Sequence, residues 1–456
     1  MLHYVNPTDE AYLKSYIKAQ TIAYGSDRMC SAMPISEIQN LTDILNDDSI
    51  VPMNISLSRT LFNGDRICHF GNGFAANVSM SSERIGDYES LTGVGGKSWY
   101  TGDGMLYVYN DSDNEEYGSE YFSGIDWTRL SGTTVDKTPR PDVIAGAELE
   151  SSPESFVGGA SLDDKYSAGA MRFHAYTQDE ERTYYASDTG ITHVLPVFDN
   201  DLTAEKSWFM FENEVAALGT GITSTKDPGV ETIVDNKLLK KDGTGSEEIL
   251  VNGKNINEIK PFTKTVDNVK TVYIEGFGGY YFPNAENLTF NRTENNYIQI
   301  YKDHGVNPQN DTYNYVVLPN MTSEEVEQYA AEPAICVLSN ADKLQAVSKP
   351  SAGVSQIVFW SEGTFNGITV DKPCVVIIRE YDGKYILGVS DPTHKETEIN
   401  ITVDRAGMNF VKADKGMVFE NGKLTVNLET SPDDTYAGDS FKGITYRAEF
   451  SSANNQ

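Results

Sequence analysis

The sequence predicts a mainly β protein with a short helical segment at its N-terminal end. Its 456 residues are enough for two or three domains with substantial cores. It contains 26 Tyr, 19 Phe and 38 Gly, and many segments alternate Thr and Val, which favours strands over helices. Turn signals separate these segments at frequent intervals. Large β-sandwiches are the fold class that this pattern indicates.

The strand prediction is clearest in three runs of β-branched and aromatic residues, 356–360, 375–379 and 397–403. Asn-Gly or Asp-Gly pairs, which favour tight hairpin turns, punctuate the chain. They are Asn63-Gly64, Asp242-Gly243, Asn252-Gly253, Asn366-Gly367, Asp382-Gly383 and Asn421-Gly422.

Residues 8–48 are predicted to be helical. Thr8-Asp9-Glu10 is a suitable helix start, and apolar residues follow at mixed three- and four-residue spacing up to Ile22. A second short helix is predicted after Pro34, with Leu41 among its apolar residues.

Two polar segments guide the predicted organisation. Residues 345–353, with a Pro and a Gly, are predicted to be a linker. Residues 237–248 are predicted to be the solvated tip of a long hairpin. The predicted divisions are a helical segment at 1–50, a central β-domain at 51–344 and a C-terminal β-sandwich at 345–456.

The net charge of −31 argues against a nucleic-acid partner, because phosphate binding relies on clustered Lys and Arg. No nucleic-acid partner is predicted. The sequence has neither a basic amphipathic helix nor a run of eighteen apolar residues, so no membrane partner is predicted. The net negative charge of the chain fits poorly with binding of an anionic polymer. A local basic groove would overcome it, because salt screens distant charges beyond about 8 Å.

No metal or other cofactor is predicted. The six histidines lack metal-ligand spacing, and the acidic cluster Asp111, Asp113, Glu115 and Glu116 lacks the remaining features of an EF-hand. A solvated acidic turn is the preferred interpretation of that cluster. The four cysteines have no CxxC spacing, and we expect buried free thiols at Cys30, Cys68, Cys336 and Cys374. The first twenty residues lack the apolar core of a signal peptide.

The segment 79–104 contains the candidate functional residues. It combines hydrogen-bonding and aromatic side chains in one glycine-rich loop. Sugars are commonly bound by such groups, because their hydroxyls need polar partners and their C–H faces need an aromatic plane. The alternative is an ordinary hairpin in which Trp99 belongs to the core and Asp103 is a turn residue.

The order of residues in this loop resembles polysaccharide lyase family 8, the hyaluronate, chondroitin AC and xanthan lyases. The family pattern is close to S-M-S-S-x-R, then Y-E, N-G-E-N and K-G-W-Y-T-G-D-G-M. Matching positions are Arg84, Tyr88, Glu89, Gly93, Lys97, Trp99 and the run 100–105. Three positions depart, with Thr92, Val94 and Gly95 where the family usually has Asn, Glu and Asn.

Further motifs recur in the family's order, and the resemblance covers roughly residues 55–410. The clearest is D-W-T-R-L-S-G-T-T at 126–134, which is similar to the family's D-W-x-x-L-P-G-T-T. The others lie at 156–159, 206–209, 218–222, 231–236, 315–320 and 389–393.

The resemblance implies a galactose-mutarotase-like β-supersandwich followed by a small C-terminal β-sandwich. It also implies that a large N-terminal α/α toroid holds the catalytic Asn, His and Tyr and a pair of arginines. Residues 1–50 are similar only to the last helical turns of that toroid. We therefore expect a recombinant fragment, a truncated gene product or one half of a split enzyme. Family members are typically secreted or periplasmic.

The implied chemistry is β-elimination on a uronic-acid-containing polysaccharide. Alignment with the family makes Glu89 a supporting catalytic residue that orients an Arg and a Tyr of the toroid. Arg84 either lines the cleft or pairs internally with Glu89 as scaffold. The substrate-binding candidates are Arg84, Tyr88, Trp99, Tyr100 and Asp103.

Two functions remain open at this point. The chain is either the β-half of a uronic-acid polysaccharide lyase that is active only with its toroid, or a silent carbohydrate-binding or scaffolding module. A weaker alternative is a pseudo-enzyme that binds nothing. The predicted partners are therefore an anionic polysaccharide and an α/α toroid.

Overall fold

The computed structural model describes most of the chain, in two compact units that correspond to residues 1–57 and 58–456. The described residues are 6–26, 30, 33–53, 56–88, 96–110, 117–138, 140, 151–177, 180–186, 190–195, 197–405, 407–433 and 440–452.

The first unit contains the two predicted helices, α1 (Pro7–Tyr24) and α2 (Ile35–Asn46). Helix α2 begins directly after Pro34, as predicted, because proline fixes its own φ and disfavours helical geometry in the residue before it. Lys18 Nζ donates to the carbonyl oxygen of Asp47 at 2.8 Å, which ties α1 to the end of α2. Of the helices that the structure describes, none has the length and apolarity needed to span a bilayer.

The second unit begins with a super-sandwich built from strands β1–β18. Their bounds are β1 Leu57–Leu61, β2 Arg66–Phe70, β3 Phe74–Met80, β4 Asp103–Asn110, β5 Thr134–Asp136, β6 Val157–Leu162, β7 Tyr166–His174, β8 Arg182–Ala186, β9 Ile191–Leu195, β10 Thr203–Met210, β11 Val215–Thr223, β12 Val230–Leu238, β13 Ile249–Val251, β14 Lys254–Asn255, β15 Phe262–Ile274, β16 Gly278–Arg292, β17 Tyr297–Gly305 and β18 Asp311–Pro319. A short helix, α3 (Ser119–Gly124), lies between β4 and β5.

These strands form one four-stranded sheet and one twelve-stranded sheet, with β8 and β9 as a separate pair. The small sheet has the order β1-β2-β3-β4. The main path of the large sheet is β14-β13-β15-β16-β18-β11-β10-β7-β6, and β12 joins it through β17 and also pairs with β5. The described pairings of the large sheet are antiparallel.

Strand β10 shows how the large sheet buries both faces. Trp208 and Met210 enter the core shared with the four-stranded sheet, whereas Phe209 enters a second core on the opposite face. Side chains alternate between the two faces of a strand, so both of its faces must be apolar where both are covered. Lys206 lies on the same face as Trp208 and is fully buried.

The second core joins the super-sandwich to the C-terminal domain through helix α4 (Ser323–Ala331) and the first sheet of that domain. A capping box closes the N-terminus of α4, with Thr322 and Glu325 exchanging side-chain-to-backbone hydrogen bonds. At the edge of this core, Lys349 Nζ binds Glu214 Oε2 at 2.8 Å, and both side chains are buried. The two sandwiches therefore share apolar and ionic contacts.

The C-terminal domain is a sandwich of a seven-stranded sheet, β19-β20-β21-β24-β25-β30-β27, and a five-stranded sheet, β22-β23-β26-β29-β28. The strand bounds are β19 Cys336–Ala341, β20 Leu344–Lys349, β21 Val354–Phe359, β22 Gly363–Phe365, β23 Ile368–Val370, β24 Cys374–Tyr381, β25 Lys384–Ser390, β26 Glu398–Val403, β27 Met408–Ala413, β28 Met417–Glu420, β29 Lys423–Asn427 and β30 Tyr446–Ser452. The three β-branched runs that predicted strands correspond to β21, β24 and β26, which confirms that prediction.

Four of the predicted hairpin turns are confirmed. The Asn-Gly or Asp-Gly pairs at 252–253, 366–367, 382–383 and 421–422 each connect two antiparallel strands. Both residues of each pair have positive φ, as a type I′ turn requires.

The predicted linker at 345–353 is wrong. Residues up to Lys349 lie in β20, which pairs with both β19 and β21, and a 3₁₀ turn at Pro350–Ala352 follows. Three of the polar side chains that suggested a linker, Gln345, Ser348 and Lys349, are buried in the sandwich. Gln345 donates to Asn340 Oδ1 at 2.8 Å. Because the Gln345 amide is hydrogen-bonded, a polar residue is tolerated at this buried position.

The predicted hairpin tip at 237–248 is also wrong, because β12 and β13 pair with other strands and not with each other. A 3₁₀ turn at Lys241–Gly243 is exposed, but the segment is anchored on both sides of it. Leu239 is buried, and Arg292 donates to the carbonyl oxygens of Thr244 and Gly245.

All four cysteines are free thiols. Cys374 is buried, as expected, and burial raises the pKa of its thiol. Cys30 and Cys68 are partly buried, and Cys336 is exposed, so the expectation of burial is wrong for Cys336.

A buried carboxyl group lies where β12 meets the small sheet. Asp235 accepts hydrogen bonds from Tyr280 and Ser131, the latter at 2.8 Å. Burial raises the pKa of Asp235 to about 6, although these donors act to lower it. The folded protein therefore binds a proton at this site more tightly than the unfolded chain does.

We predict that Asp235→Asn changes how stability depends on pH. A raised folded-state pKa stabilises the protein below the unfolded value of 3.8, and that contribution is lost as pH rises to about 6. The wild type should lose about 2.4 kcal/mol relative to Asp235→Asn between pH 4 and pH 7. Urea unfolding across this range measures the difference. The exposed Asp267→Asn is the control, and an equal pH dependence in both variants contradicts the prediction.

Candidate functional site

The candidate loop connects two antiparallel strands of the small sheet. Strand β3 pairs with β4 so that Ser79 lies opposite Met105 and Met80 opposite Asp103. The two ends of the loop meet again where Gly102 approaches Asp87. A Cβ at Gly102 would lie 2.5 Å from the carbonyl oxygen of Asp87, so the contact requires glycine.

Glu89, the predicted supporting catalytic residue, lies outside the described residues. So do Gly93 and the three departures from the family pattern, Thr92, Val94 and Gly95. The acidic cluster at 111–116 is also outside the described part. The structure therefore leaves the predicted role of Glu89 as a prediction.

Arg84 is held by a set of backbone carbonyl groups. Its terminal nitrogens donate to Val157 O at 2.8 Å and Ser155 O at 2.9 Å. Longer contacts of 3.3 and 3.4 Å reach the carbonyl oxygens of Thr393 and Pro392. These acceptors belong to both sandwiches, so Arg84 joins the candidate loop to the C-terminal domain.

The carboxylate partner of Arg84 is Asp65, with Nη2 and Oδ1 3.0 Å apart. The Asp65 side chain is fully buried, and burial raises its pKa against the opposing effects of Ser82 and Arg84. A second link between loop and C-terminal domain is the ion pair of Lys395 with Glu83, at 2.8 Å. These contacts favour the bracing interpretation of Arg84, with Asp65 as a carboxylate partner.

Tyr88, Trp99 and Tyr100 belong to a buried aromatic cluster. Trp99 is 4% exposed and Tyr100 is 3% exposed, and their rings meet edge to face at 6.3 Å. Burial raises the pKa of Tyr100 above its usual value. The described rings therefore fill a core beside α3, as the alternative interpretation of Trp99 proposes.

Arg140 contacts this cluster from outside the loop. Its guanidinium lies 5.8 Å from the Trp99 ring centroid, 5.5 Å from Tyr100, 5.4 Å from Tyr176 and 4.8 Å from Phe198. Cation–π attraction favours this arrangement. The ring surfaces that the sequence predicts for sugar stacking are thus in contact with a cation of the same chain.

Asp103 begins β4 and is 4% exposed. Its backbone carbonyl oxygen accepts a hydrogen bond from Lys206 Nζ at 2.7 Å. The described part of the site therefore contains substrate-binding candidates that are mostly buried or bonded within the chain. Their substrate-binding roles remain predictions.

Sequence reasoning missed three supporting residues. Asp65 directly follows the Asn63-Gly64 turn signal, and Lys206 is the first residue of the K-S-W-F motif, but neither signal indicates what the side chain contacts. Arg140 has no motif of its own. Among the described residues, no cluster of three or more His, Cys, Asp or Glu side chains has the arrangement of a metal site.

We predict that Arg84→Ala destabilises the protein by roughly 3 kcal/mol, because it leaves the buried Asp65 carboxylate without its guanidinium. Arg59→Ala, which removes an exposed ion pair with Asp164, should cost less than about 1 kcal/mol. Urea unfolding measures both. Equal stabilities for the two variants would argue against a bracing role and favour direct substrate contact.

Comparison with known proteins identifies two domain models. The polysaccharide lyase family 8 super-sandwich domain matches residues 57–330, and the C-terminal β-sandwich domain of the same family matches residues 336–400. The boundary between them lies before β19, whereas the sequence prediction put it at 344/345.

The chain is similar to several curated lyases. It is 29% identical to the hyaluronate lyase of Thermasporomyces composti over 447 residues, which cover 93% of this chain and 53% of that protein. It is 31% identical to the xanthan lyase of Bacillus sp. strain GL1 over 442 residues, which cover 89% of this chain and 43% of that protein. The chain thus spans about half the length of the curated relatives it matches.

Solved structures show the same architecture. A Paenibacillus xanthan lyase matches with a TM-score of 0.82 and 27% identity, over 99% of this chain and 43% of that one. A Streptomyces coelicolor chondroitin AC lyase, solved with chondroitin sulphate, matches with a TM-score of 0.75 over 99% of this chain and 57% of that one. Its identity of 23% makes it evidence for the fold alone. With both domain models matched in order, the chain belongs to polysaccharide lyase family 8.

Proposed function

We propose that this chain is the β-domain part of a polysaccharide lyase that cleaves uronic-acid-containing polysaccharides of the hyaluronan or chondroitin type by β-elimination. We propose further that turnover requires an α/α toroid and that the enzyme acts outside the cytoplasm. The observation that carries the proposal is the match of both β-domains to one lyase family, in order and over most of the chain.

The proposed reaction needs a base, an acid and a means of neutralising the uronate carboxylate. The base removes the C5 proton, the C–H electrons form the C4=C5 double bond, and the C4–O bond breaks. The acid protonates the leaving glycosidic oxygen, so the products are a 4,5-unsaturated sugar and a new free hydroxyl. By resemblance, the groups that perform these steps belong to the toroid.

The role of this chain in that reaction would be to close over the substrate cleft and to support the catalytic groups of the toroid. Glu89 would orient an arginine and a tyrosine of the toroid, since a carboxylate fixes a guanidinium in a defined plane. The contacts of Arg84 and Asp103 hold the two ends of the loop that carries Glu89. A loop braced at both ends positions its central residues with less loss of conformational entropy when substrate binds.

The alternative is a catalytically silent carbohydrate-binding or scaffolding module. Two observations favour it. The residues Thr92, Val94 and Gly95 depart from the family pattern at the centre of the loop, and the described aromatic candidates Trp99 and Tyr100 are buried. Both functions share polysaccharide binding, and turnover separates them.

We predict a flat trace when the purified chain is incubated with hyaluronan, chondroitin or xanthan and the ultraviolet absorbance of the unsaturated uronate is followed. Supplying the α/α toroid of a related lyase as a separate chain should produce a rise, because it contributes the acid and base. A rise without the toroid contradicts the toroid requirement. Binding without turnover in the presence of a toroid that is active with its own β-domain supports the silent module.

We predict that Glu89→Ala lowers kcat of the reconstituted enzyme by at least about tenfold while the free energy of unfolding changes little. Glu212→Ala is the control, because Glu212 forms a surface ion pair with Lys165 outside the loop. The control should retain its kcat. Full activity in Glu89→Ala removes Glu89 from the mechanism.

A further inference from the structure

Lys206 is a charged residue in an apolar position. It lies on the face of β10 that carries Trp208 and Met210 into the main core, and its exposure is 0%. A buried amine is costly unless its N–H groups find acceptors. Lys206 Nζ donates to Asp103 O at 2.7 Å and to Gly132 O at 2.9 Å.

The two acceptors belong to different motifs. Asp103 lies in the Tyr-Thr-Gly-Asp-Gly turn that follows Trp99, and Gly132 lies in the Leu-Ser-Gly-Thr-Thr turn. Lys206 itself begins the Lys-Ser-Trp-Phe motif. Three motifs that are far apart in the sequence therefore meet at one nitrogen atom.

Backbone contacts show how closely the two turns approach each other. Leu106 N donates to Ser131 O at 2.8 Å. Gly132 has φ +84°, and a Cβ there would lie 2.8 Å from the carbonyl oxygen of Gly104. The turns are thus in van der Waals contact as well as sharing the amine.

Gly104 completes the packing around the amine. Its φ is +86°, and a Cβ at this position would lie 3.0 Å from Lys206 Nζ and 2.5 Å from Trp208 Cζ2. Lys206 Nζ also lies 5.6 Å from the centroid of the Phe173 ring and 5.5 Å from that of the Trp208 ring. A side chain at Gly104 would therefore collide with the Trp208 ring and crowd the amine.

We propose that Lys206 is a positioning residue for the candidate site, whose amine fixes the turn carrying Trp99, Tyr100 and Asp103 against the turn at Gly132. The connection between this turn and polysaccharide rests on the proposed function. The fixing of the turns does not, because it follows from hydrogen bonds within the chain. The two parts are therefore tested separately.

The first test is amide hydrogen exchange of the full chain, followed by mass spectrometry, in wild type, Lys206→Met and Phe209→Leu. Methionine keeps most of the side-chain volume and removes the donors. Phe209 is the matched control, since it is a buried residue of the same strand that points to the opposite core. Exchange at 103–106 and 131–133 should be at least tenfold faster in Lys206→Met and unchanged in Phe209→Leu. Wild-type protection in Lys206→Met, or equal acceleration in both variants, overturns the proposal.

A second variant keeps the test decisive if Lys206→Met does not fold. Gly104→Ala retains the amine but forces the turn away from it, because of the contacts that its Cβ would make. Exchange at 131–133 should then accelerate together with exchange at 103–106. Acceleration confined to 103–106 would show that the turns are not fixed through Lys206, and would overturn the proposal.

Binding of chondroitin sulphate to the same three proteins tests the connection to function. Lys206→Met should weaken binding at least tenfold, with Phe209→Leu unchanged. Equal binding by all three proteins overturns the positioning role in recognition. If the wild type does not bind chondroitin sulphate, binding is measured again with hyaluronan and with the toroid supplied. Failure to bind either polymer then contradicts the proposed function, and hydrogen exchange still decides whether Lys206 fixes the turns.

The pH dependence of stability gives an independent prediction. Burial lowers the pKa of Lys206 from 10.5 to about 7, while the Asp103 carboxylate, the charged group that acts on it among the described residues, raises it. Between these values the unfolded chain binds the extra proton, so stability rises with pH. The folded-to-unfolded ratio of the wild type should gain up to about tenfold per pH unit from pH 7 to 9 relative to Lys206→Met. Parallel profiles would show that the folded protein keeps the amine protonated through this range, which contradicts the pH prediction, and hydrogen exchange would still decide whether Lys206 fixes the turns.

Discussion

The fold around the candidate site depends on buried or partly buried basic side chains that donate to backbone carbonyl oxygens where loops meet. Lys206 binds two such oxygens, and Arg84 binds those of Ser155 and Val157 together with the Asp65 carboxylate. Arg292 does the same for the segment after β12, with Thr244 O and Glu258 O both at 2.6 Å. Carbonyl groups at loop junctions cannot be paired by a strand, and leaving them buried without a donor is costly. A long cationic side chain reaches several of them at once, which is how an acidic chain comes to bury some of its few cations.

These contacts give some of the family motifs a structural role in place of the substrate-binding role that the sequence suggested. Arg84 is part of the motif that was expected to face polysaccharide, yet its donors are directed to the chain itself and to the turn at Pro392 and Thr393 in the C-terminal sandwich. That turn is also one of the family motifs. The two motifs lie in different domains and are joined by one guanidinium. The C-terminal sandwich therefore helps to fix the loop. The motifs shared with the family thus include residues that support the loop as well as candidate substrate-binding residues.

Local signals predicted the local elements well. The Asn-Gly and Asp-Gly turns gave four hairpins, and Pro34 gave the start of α2, because each depends on the φ/ψ preferences of one or two residues. The linker at 345–353 failed because polarity was taken to mean exposure, whereas Gln345 is buried and accepts a hydrogen bond from Trp360 Nε1 at 3.3 Å. The sequence also did not identify Lys206 as a buried residue, for the same reason. Whether a polar side chain is buried depends on partners that are distant in sequence, and no local pattern contains them.

The position of Arg84 also bears on which group Glu89 would orient. A carboxylate that holds a guanidinium in one plane needs an arginine with donors to spare. Arg84, the arginine close to Glu89 in sequence, already directs both terminal nitrogens to Asp65 and to carbonyl oxygens. Pairing it with Glu89 would break contacts that join two domains. The same reasoning applies to Lys206, whose amine is committed to two turns. Arg84 and Lys206 thus serve the architecture of the loop, and this agrees with the proposal that the arginine oriented by Glu89 belongs to a toroid.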